Sequence, residues 1–157
     1  MSVSLNNILL DHLKKLKVKK NDKLVVHADL TKFGIINKNL PEYIVLNLIK
    51  LIGKNGSLVM PSYELDVPNN FIHHTKKLTK QTNISMLTKV FFKKFKTRKS
   101  KSLLHSHIGL GKDTKFLLKT PINTSFGKTT DFTYFHKNNF KLILLGCTPQ
   151  QGATYLH

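Results

Sequence analysis

Three groups of residues in this sequence carry side chains able to do chemistry. His27 to Gly34 (HADLTKFG) places an imidazole, a carboxylate, a hydroxyl and a glycine in one short stretch. Between a strand and a helix, such a stretch lies where free backbone N–H groups can bind a phosphate or carboxylate. Spacing alone favours a plainer reading, a strand-to-helix connection with Gly34 serving a turn. Neither GxGxxG nor the GxxxxGK phosphate loop occurs, so this is not a nucleotide motif in its own right. Ser125 to Asp131 (SFGKTTD) flanks a glycine with hydroxyls and a lysine, an arrangement that can face an anion. The alternative is a solvated turn with Thr129 or Thr130 as a helix N-cap.

The histidines form the third group. His73 and His74 are adjacent, His105 and His107 alternate on an expected strand, and His157 closes the chain. With a single cysteine and no HExxH, the set does not make a zinc site, and no metal is expected. A serine triad is not supported either, because GxSxG is lacking and Ser106 between two histidines is no nucleophile elbow. Cys147 ends an apolar stretch and reads as a buried core residue rather than a nucleophile. An imidazole such as that of His157 has the pKa range of a general base toward an amine, although a terminal histidine alone carries no such assignment.

The elements that must position these groups follow from periodicity. Leu5, Ile8, Leu9, Leu13 and Leu16 recur at helical spacing and predict an amphipathic opening helix. Lys23 to Leu30 predicts a strand, Leu40 to Ile52 a helix with Pro41 in its first turn and Gly53 past its end, and Ser57 to Met60 a strand broken at Pro61. A long polar loop is expected from Tyr63 to Thr82. Beyond it come a helix over Ile84 to Phe95, a strand over His105 to Leu110, a short helix over Asp131 to His136 and a buried strand over Lys141 to Cys147. This alternation predicts an α/β fold with a mixed or largely parallel sheet flanked by helices.

Length and composition bound the rest. The 157 residues, 40% of them hydrophobic, suffice for one core, and 1–157 is read as one domain or part of one. No apolar run has membrane-spanning length and the start lacks signal-peptide order, so no membrane span and a cytoplasmic location are expected. The net charge of +18 would ordinarily point to nucleic acid. Here Arg98 is the sole arginine, whereas readers of phosphate and base edges draw on the planar arginine fork, so no specific nucleic acid is expected. A basic module binding RNA or another polyanion is the rival reading from a different class.

In order along the chain, four segments resemble the aminoglycoside 3-N-acetyltransferase family. VKKNDKLVVHADLTKFGI is similar to the family's Val, Gly-Asp, apolar strand, His-Ser-Ser-Leu and Gly, and GKNGSLVMPSY to its Gly-x-x-Gly-x-Leu-Val-Met-Pro-Thr. TSFGKTTDFTYF resembles Ser-x-Phe-Gly-x-x-Ser-Pro, and LILLGCTPQQGATYLH resembles the strand ending Leu-Leu-Gly that leads to Thr-x-x-His.

The resemblance implies the family's own fold rather than the GNAT fold, and an acetyl-CoA-dependent N-acetyltransferase acting on an amino group of an aminoglycoside or amino sugar. It implies His157 as catalytic base, with Thr154 as the matching threonine on the substrate side. Acetyl-CoA contacts are implied for Asp29, Leu30, Thr31, Gly34, Ser125, Phe126, Gly127 and Thr130, and substrate contacts for Ser62, Tyr63 and Glu64. With eight acidic against twenty-six basic residues, the chain is poorly matched to a polycationic drug, and an amino sugar on a nucleotide or glycan is the competing acceptor.

Departures from the pattern are specific. Ala28 and Asp29 replace two serines, Asn37, Lys38 and Asn39 stand where the family has a glycine pair, and Thr130-Asp131 stands for Ser-Pro. Of the family's Ser-x-His-Pro-x-His-Ser run, SKSLLHS keeps only its last two members, His105 and Ser106. Family members continue beyond Thr-x-x-His, so the chain is expected to be the amino-terminal part of the domain. Such a part should expose core surface and self-associate or bind a partner; an inactive remnant of the enzyme is a third reading.

Overall fold

The computed structural model describes residues 3–34, 37–63 and 84–152. Its elements are α1 (Val3–Lys15), β1 (Lys23–Ala28), a 3-10 turn (Leu30–Phe33), α2 (Leu40–Ile52), β2 (Ser57–Pro61), α3 (Met86–Lys94), β3 (Arg98–Lys99), β4 (His107–Gly111), a second 3-10 segment (Lys112–Lys119), α4 (Asp131–Lys137), β5 (Lys141–Leu145) and α5 (Pro149–Gly152). The strands form a mixed sheet in the order β3, β4, β2, β1, β5. β1 runs parallel to β2, with Lys23 opposite Ser57, and parallel to β5, with Leu24 opposite Lys141. β4 runs antiparallel to β2, with Pro61 opposite His107. The carboxyl ends of β1, β2 and β5 therefore share one edge with the amino end of β4.

Strand alternation decides which side chains share a face. Leu24 and Val26 of β1, Leu58 and Met60 of β2, and Ile108 of β4 pack into the larger core, against Leu13 of α1, Ile44 and Leu48 of α2, and Leu87 and Phe91 of α3. Val25 and Val59 point to the other face and meet Phe132 and Phe135 of α4, with Phe116, Phe140 and Leu142 around them. His27 lies two residues beyond Val25, and His107 one before Ile108. Parity thus puts both imidazoles on the α4 face, at the carboxyl edge.

Local signals account for the helices. α2 has Pro41 in its first turn and ends at Gly53, whose φ of 66° and N–H bonded to the Ile49 carbonyl close it. α3 starts at Ser85, whose hydroxyl accepts from the Thr88 N–H at 3.1 Å.

Several expectations need correction. In α1, Leu9 and Leu13 are buried, while Ile8 is exposed, as is Leu16 just past its end. The first strand stops at Ala28 because Asp29 caps the 3-10 turn. Pro61 belongs to β2 rather than breaking it: the β1 pairing extends only to Val59, so the missing N–H removes no bond from that ladder. His105 precedes β4 instead of lying on it. The strand at Lys141 ends at Leu145 and forms a sheet edge with alternating burial, so Cys147 lies beyond it and half-buried, not in the core. The loop expected from Tyr63 to Thr82 falls, after Tyr63, outside the described residues.

Candidate active site

At the carboxyl edge, Ser62 and Tyr63 leave β2 beside the segment leading into β4. The Ser62 N–H donates to the Ser106 carbonyl at 2.8 Å, and the Ser106 hydroxyl donates back to the Ser62 carbonyl. This reciprocal pair fastens the ends of two sequence motifs that lie far apart in the chain. The Tyr63 ring is met edge-on by three imidazoles, with centroids 4.9 Å from His105, 5.4 Å from His107 and 6.3 Å from His27. Phe132 and Phe135 of α4 close over His107 at 5.2 and 4.9 Å, and Phe126 stacks on Phe132 at 5.2 Å while reaching His105 at 5.4 Å.

A charged group enters this aromatic frame from α4. His107 Nδ1 lies 2.8 Å from Asp131 Oδ2, with the two side chains 0% and 2% exposed. A carboxylate so deeply enclosed is tolerated only when paired. Among the described residues, Ser62 Oγ, His105 Nδ1, His107 Nε2 and Asp131 Oδ1 are buried without a hydrogen-bond partner. Unmet polar groups are costly in a core, and four of them gather at this edge.

Burial pushes the His27 imidazole down to about 4, with the charge of His107 acting in the same direction. His105 is lowered by the same two causes in the same order. Both are therefore neutral, proton-accepting rings near neutral pH. The Cys147 thiol is pushed up, first by burial and then by the Asp29 charge, which disfavours the thiolate a nucleophile needs.

The implied cofactor residues occupy two places. Asp29 accepts from the Thr31 N–H at 3.1 Å and from the Thr31 hydroxyl, so carboxylate and hydroxyl satisfy each other within the turn. The hydroxyl bond, then the N–H, holds the Asp29 carboxyl below the usual range. Leu30 packs against the larger core, and Gly34 takes the left-handed conformation at φ 61° that ends the turn. Beyond β5, Gly146 fits against this turn at φ 70°, where a Cβ would come within 2.4 Å of the Asp29 carbonyl. A pocket opens there, lined by His27, Ala28, Asp29, Pro61, Ile84, Ser85, Cys147 and Gln151.

In the second place, Thr130 and Thr133 hydroxyls both donate to the Gly127 carbonyl, at 2.9 and 2.6 Å. Thr130 is the N-cap residue of α4, but its side chain serves this turn instead of capping the helix. Thr129, Thr130 and Thr133 line a pocket with Lys119, Lys128, Lys137, Phe116 and Tyr134. Ser125 is half-buried and Phe126 is 52% exposed.

The structure thus brings Ser62 and Tyr63 together with Phe126 through His105, and sets Asp29 beside His27. Glu64, Thr154 and His157 lie outside the described residues. Sequence reasoning did not assign the His105, His107 and Asp131 cluster to a site. Its signals were the parity of His107 with Val59 and the replacement of Ser-Pro by Thr130-Asp131. Among the described residues, no group of three or more His, Cys, Asp or Glu converges to hold a metal ion, and no helix is long and apolar enough to cross a membrane.

A mixed sheet whose parallel strands deliver polar side chains to one carboxyl edge defines an α/β protein, the class in which ligands collect at that edge. The chain belongs to the aminoglycoside 3-N-acetyltransferase family, whose model matches residues 25–157. No curated protein matches it. Among solved structures it is similar to the YokD protein from Bacillus subtilis (19% identity, TM-score 0.78, covering 94% of this chain and 66% of that one). It is similar also to aminoglycoside acetyltransferase AAC(3)-Xa (16% identity, TM-score 0.81, 97% and 59%) and to AAC-IIIb in a binary complex with CoASH (20% identity, TM-score 0.81, 97% and 62%). These likenesses establish the fold, which is that of the family as the sequence resemblance implied. The chain spans about three fifths of the length of these structures.

Proposed function

We propose that the protein contributes to acetyl transfer from acetyl-CoA to an amino group of an aminoglycoside or amino sugar, as the amino-terminal part of a single catalytic domain. The observation that carries this reading is the family match, which spans both the turn after β1 and the SFGKTT segment. The lysine and threonine pocket beside that segment supports it, since three ammonium groups suit the phosphates of CoA. One structural neighbour is a binary complex with CoASH, and others are bound to sisomicin or apramycin.

In the proposed chemistry, His157 accepts a proton from the acceptor amine. The amine nitrogen attacks the thioester carbonyl carbon, the C–S bond breaks, and the CoA thiolate leaves and is protonated. Backbone N–H groups stabilise the oxyanion, and no acyl-enzyme forms. Thr154, Glu64 and Tyr63 serve the acceptor side, with Ser62 enclosed behind Tyr63, while Asp29, Leu30, Thr31, Gly34, Ser125, Phe126, Gly127 and Thr130 serve the CoA side, chiefly through backbone groups and turn geometry. The scarcity of carboxylates favours a phosphate-bearing amino sugar over a polycationic drug.

Calorimetry with CoA and acetyl-CoA tests the donor half, and thiol release with sisomicin, apramycin and glucosamine 1-phosphate tests the acceptor half. Saturable binding of CoA that weakens in Lys128→Ala is expected. No heat with either CoA species up to about 1 mM, a concentration corresponding to roughly 4 kcal/mol of affinity, would overturn the proposal.

A further inference from the structure

Asp131 stands where the family pattern has proline, and its partner, His107, sits on a strand position whose neighbour Ile108 is core. The two side chains meet at 2.8 Å and are almost wholly enclosed. An imidazole held by a carboxylate at one nitrogen and unpartnered at the other is the arrangement by which enzymes fix a ring's orientation and proton. Yet His107 is 0% exposed and walled by Phe132, Phe135 and Tyr63, so it cannot itself touch a substrate. Its influence must pass to what surrounds it. The titratable groups around it are His27 from β1, Tyr63 after β2, His105 before β4, and Asp131 from α4, with Asp29 and Cys147 on the far side of His27. Of the three imidazoles, His105 is the half-exposed one.

We propose that His107 and Asp131 form a positioning dyad that holds carboxylate and imidazole together in the enclosed layer, orients Tyr63 against His107, and leaves the half-exposed His105 as a neutral base at the carboxyl edge. Coulomb repulsion supplies the mechanism. Among the described residues one carboxylate, Asp131, reaches the three imidazoles, and a proton on His105 meets the charge of His107 across a single tyrosine ring. The lowering of His105 and His27 by the charge on His107 follows from the same geometry. Asp131 and His107 act through other residues; His105 is the group offered to a ligand. The dyad's part in acetyl transfer rests on the proposed function, but its effect on His105 does not.

The test is ring NMR of the whole chain labelled in histidine, titrated from pH 8 to 4, for the native protein, Asp131→Asn and His107→Gln. Asp131→Asn retains an acceptor for Nδ1 without the charge. His107→Gln leaves the carboxylate without its imidazole and removes the like charge that faces His105. The His105 midpoint is expected below that of a free imidazole in the native protein, and to rise by about one pH unit in His107→Gln, the scale of a nearby opposite charge. A smaller rise is expected in Asp131→Asn. An unmoved His105 midpoint in both variants, with native-like amide spectra, would overturn the dyad. So would a native His105 that titrates like free imidazole, even if one variant fails to fold. Where acetyl transfer is measured, the acid limb of its pH profile should move with the His105 midpoint. Transfer with an unmoved limb refutes the dyad and spares the function, whereas loss of CoA binding does the reverse.

Discussion

His27 gives the sharpest prediction, because its burial can be converted into a pH dependence of stability. The side chain is 8% exposed and its protonation is pushed from 6.5 to about 4. Its folded-state value lies below its unfolded one, so between those limits the unfolded chain binds more protons than the folded chain. The stability held by a neutral His27 is therefore fully present above pH 6.5 and is lost as pH falls toward 4. The interval is about 2.5 pH units at 1.36 kcal/mol each, which leaves about 3 kcal/mol lost by pH 4, where the folded state is half protonated. Urea unfolding of the native chain and of His27→Leu at pH 7.5, 6.5, 5.5 and 4 measures it. Leucine suits the apolar pocket formed with Val25, Phe132, Phe135, Phe140 and Leu142, and it cannot titrate. The native chain should lose about 3 kcal/mol more than the variant over this range. His105 is shifted in the same direction and remains in both proteins, so it cancels in the difference. Asp29, whose carboxyl is lowered, loses its contribution only at more acid pH, outside the interval. Parallel losses in the two proteins, within about 0.5 kcal/mol, would refute a neutral buried imidazole at this position.

Two further outcomes follow from the packing. Asp131→Ala should destabilise the fold by about 3–5 kcal/mol, whereas the double variant Asp131→Ala with His107→Leu should cost at least about 1.5 kcal/mol less than the sum of the singles; additivity in urea melts would deny the buried pair. Phe91→Ala empties a fully buried position of the larger core and should cost about 3–5 kcal/mol, and a loss below about 1 kcal/mol would mean that α3 is not docked as described.

The fold was largely legible because its strongest signals are local. α2 begins and ends where Pro41 and Gly53 place it, and the strong apolar content of KLVVHA and SLVM needs no tertiary context to read as central strands. What failed was decided by neighbours. KLILLGC reads as buried throughout, but nothing among the described residues pairs with the outer side of β5, so its burial alternates and Cys147 is left half-buried. Arg98 and Lys99 pair with β4 without any apolar signature, and no pattern in the sequence foretells so short an edge strand. The site was half legible for a related reason. MPSY, HADL and SFGKTT stand out as motifs, yet the contacts among Tyr63, His105, His107 and Asp131 depend on an antiparallel β4, whose amino end brings His107 and the preceding His105 to the edge.

That reversal also explains why the edge can hold a buried charge at all. A parallel β4 would bring its carboxyl end to this edge and leave its amino end, with His107, at the opposite one. Antiparallel pairing instead sets His107 opposite Pro61, one residue before Ser62 and two before Tyr63. α4 then packs its Phe132 and Phe135 on the same face, which carries its first residue, Asp131, to the imidazole. The carboxylate and the histidine are each unfavourable in this apolar layer alone. They are tolerated together because one strand direction and one helix start bring them within hydrogen-bonding distance, so a change at either position should be permissible only when the other changes with it.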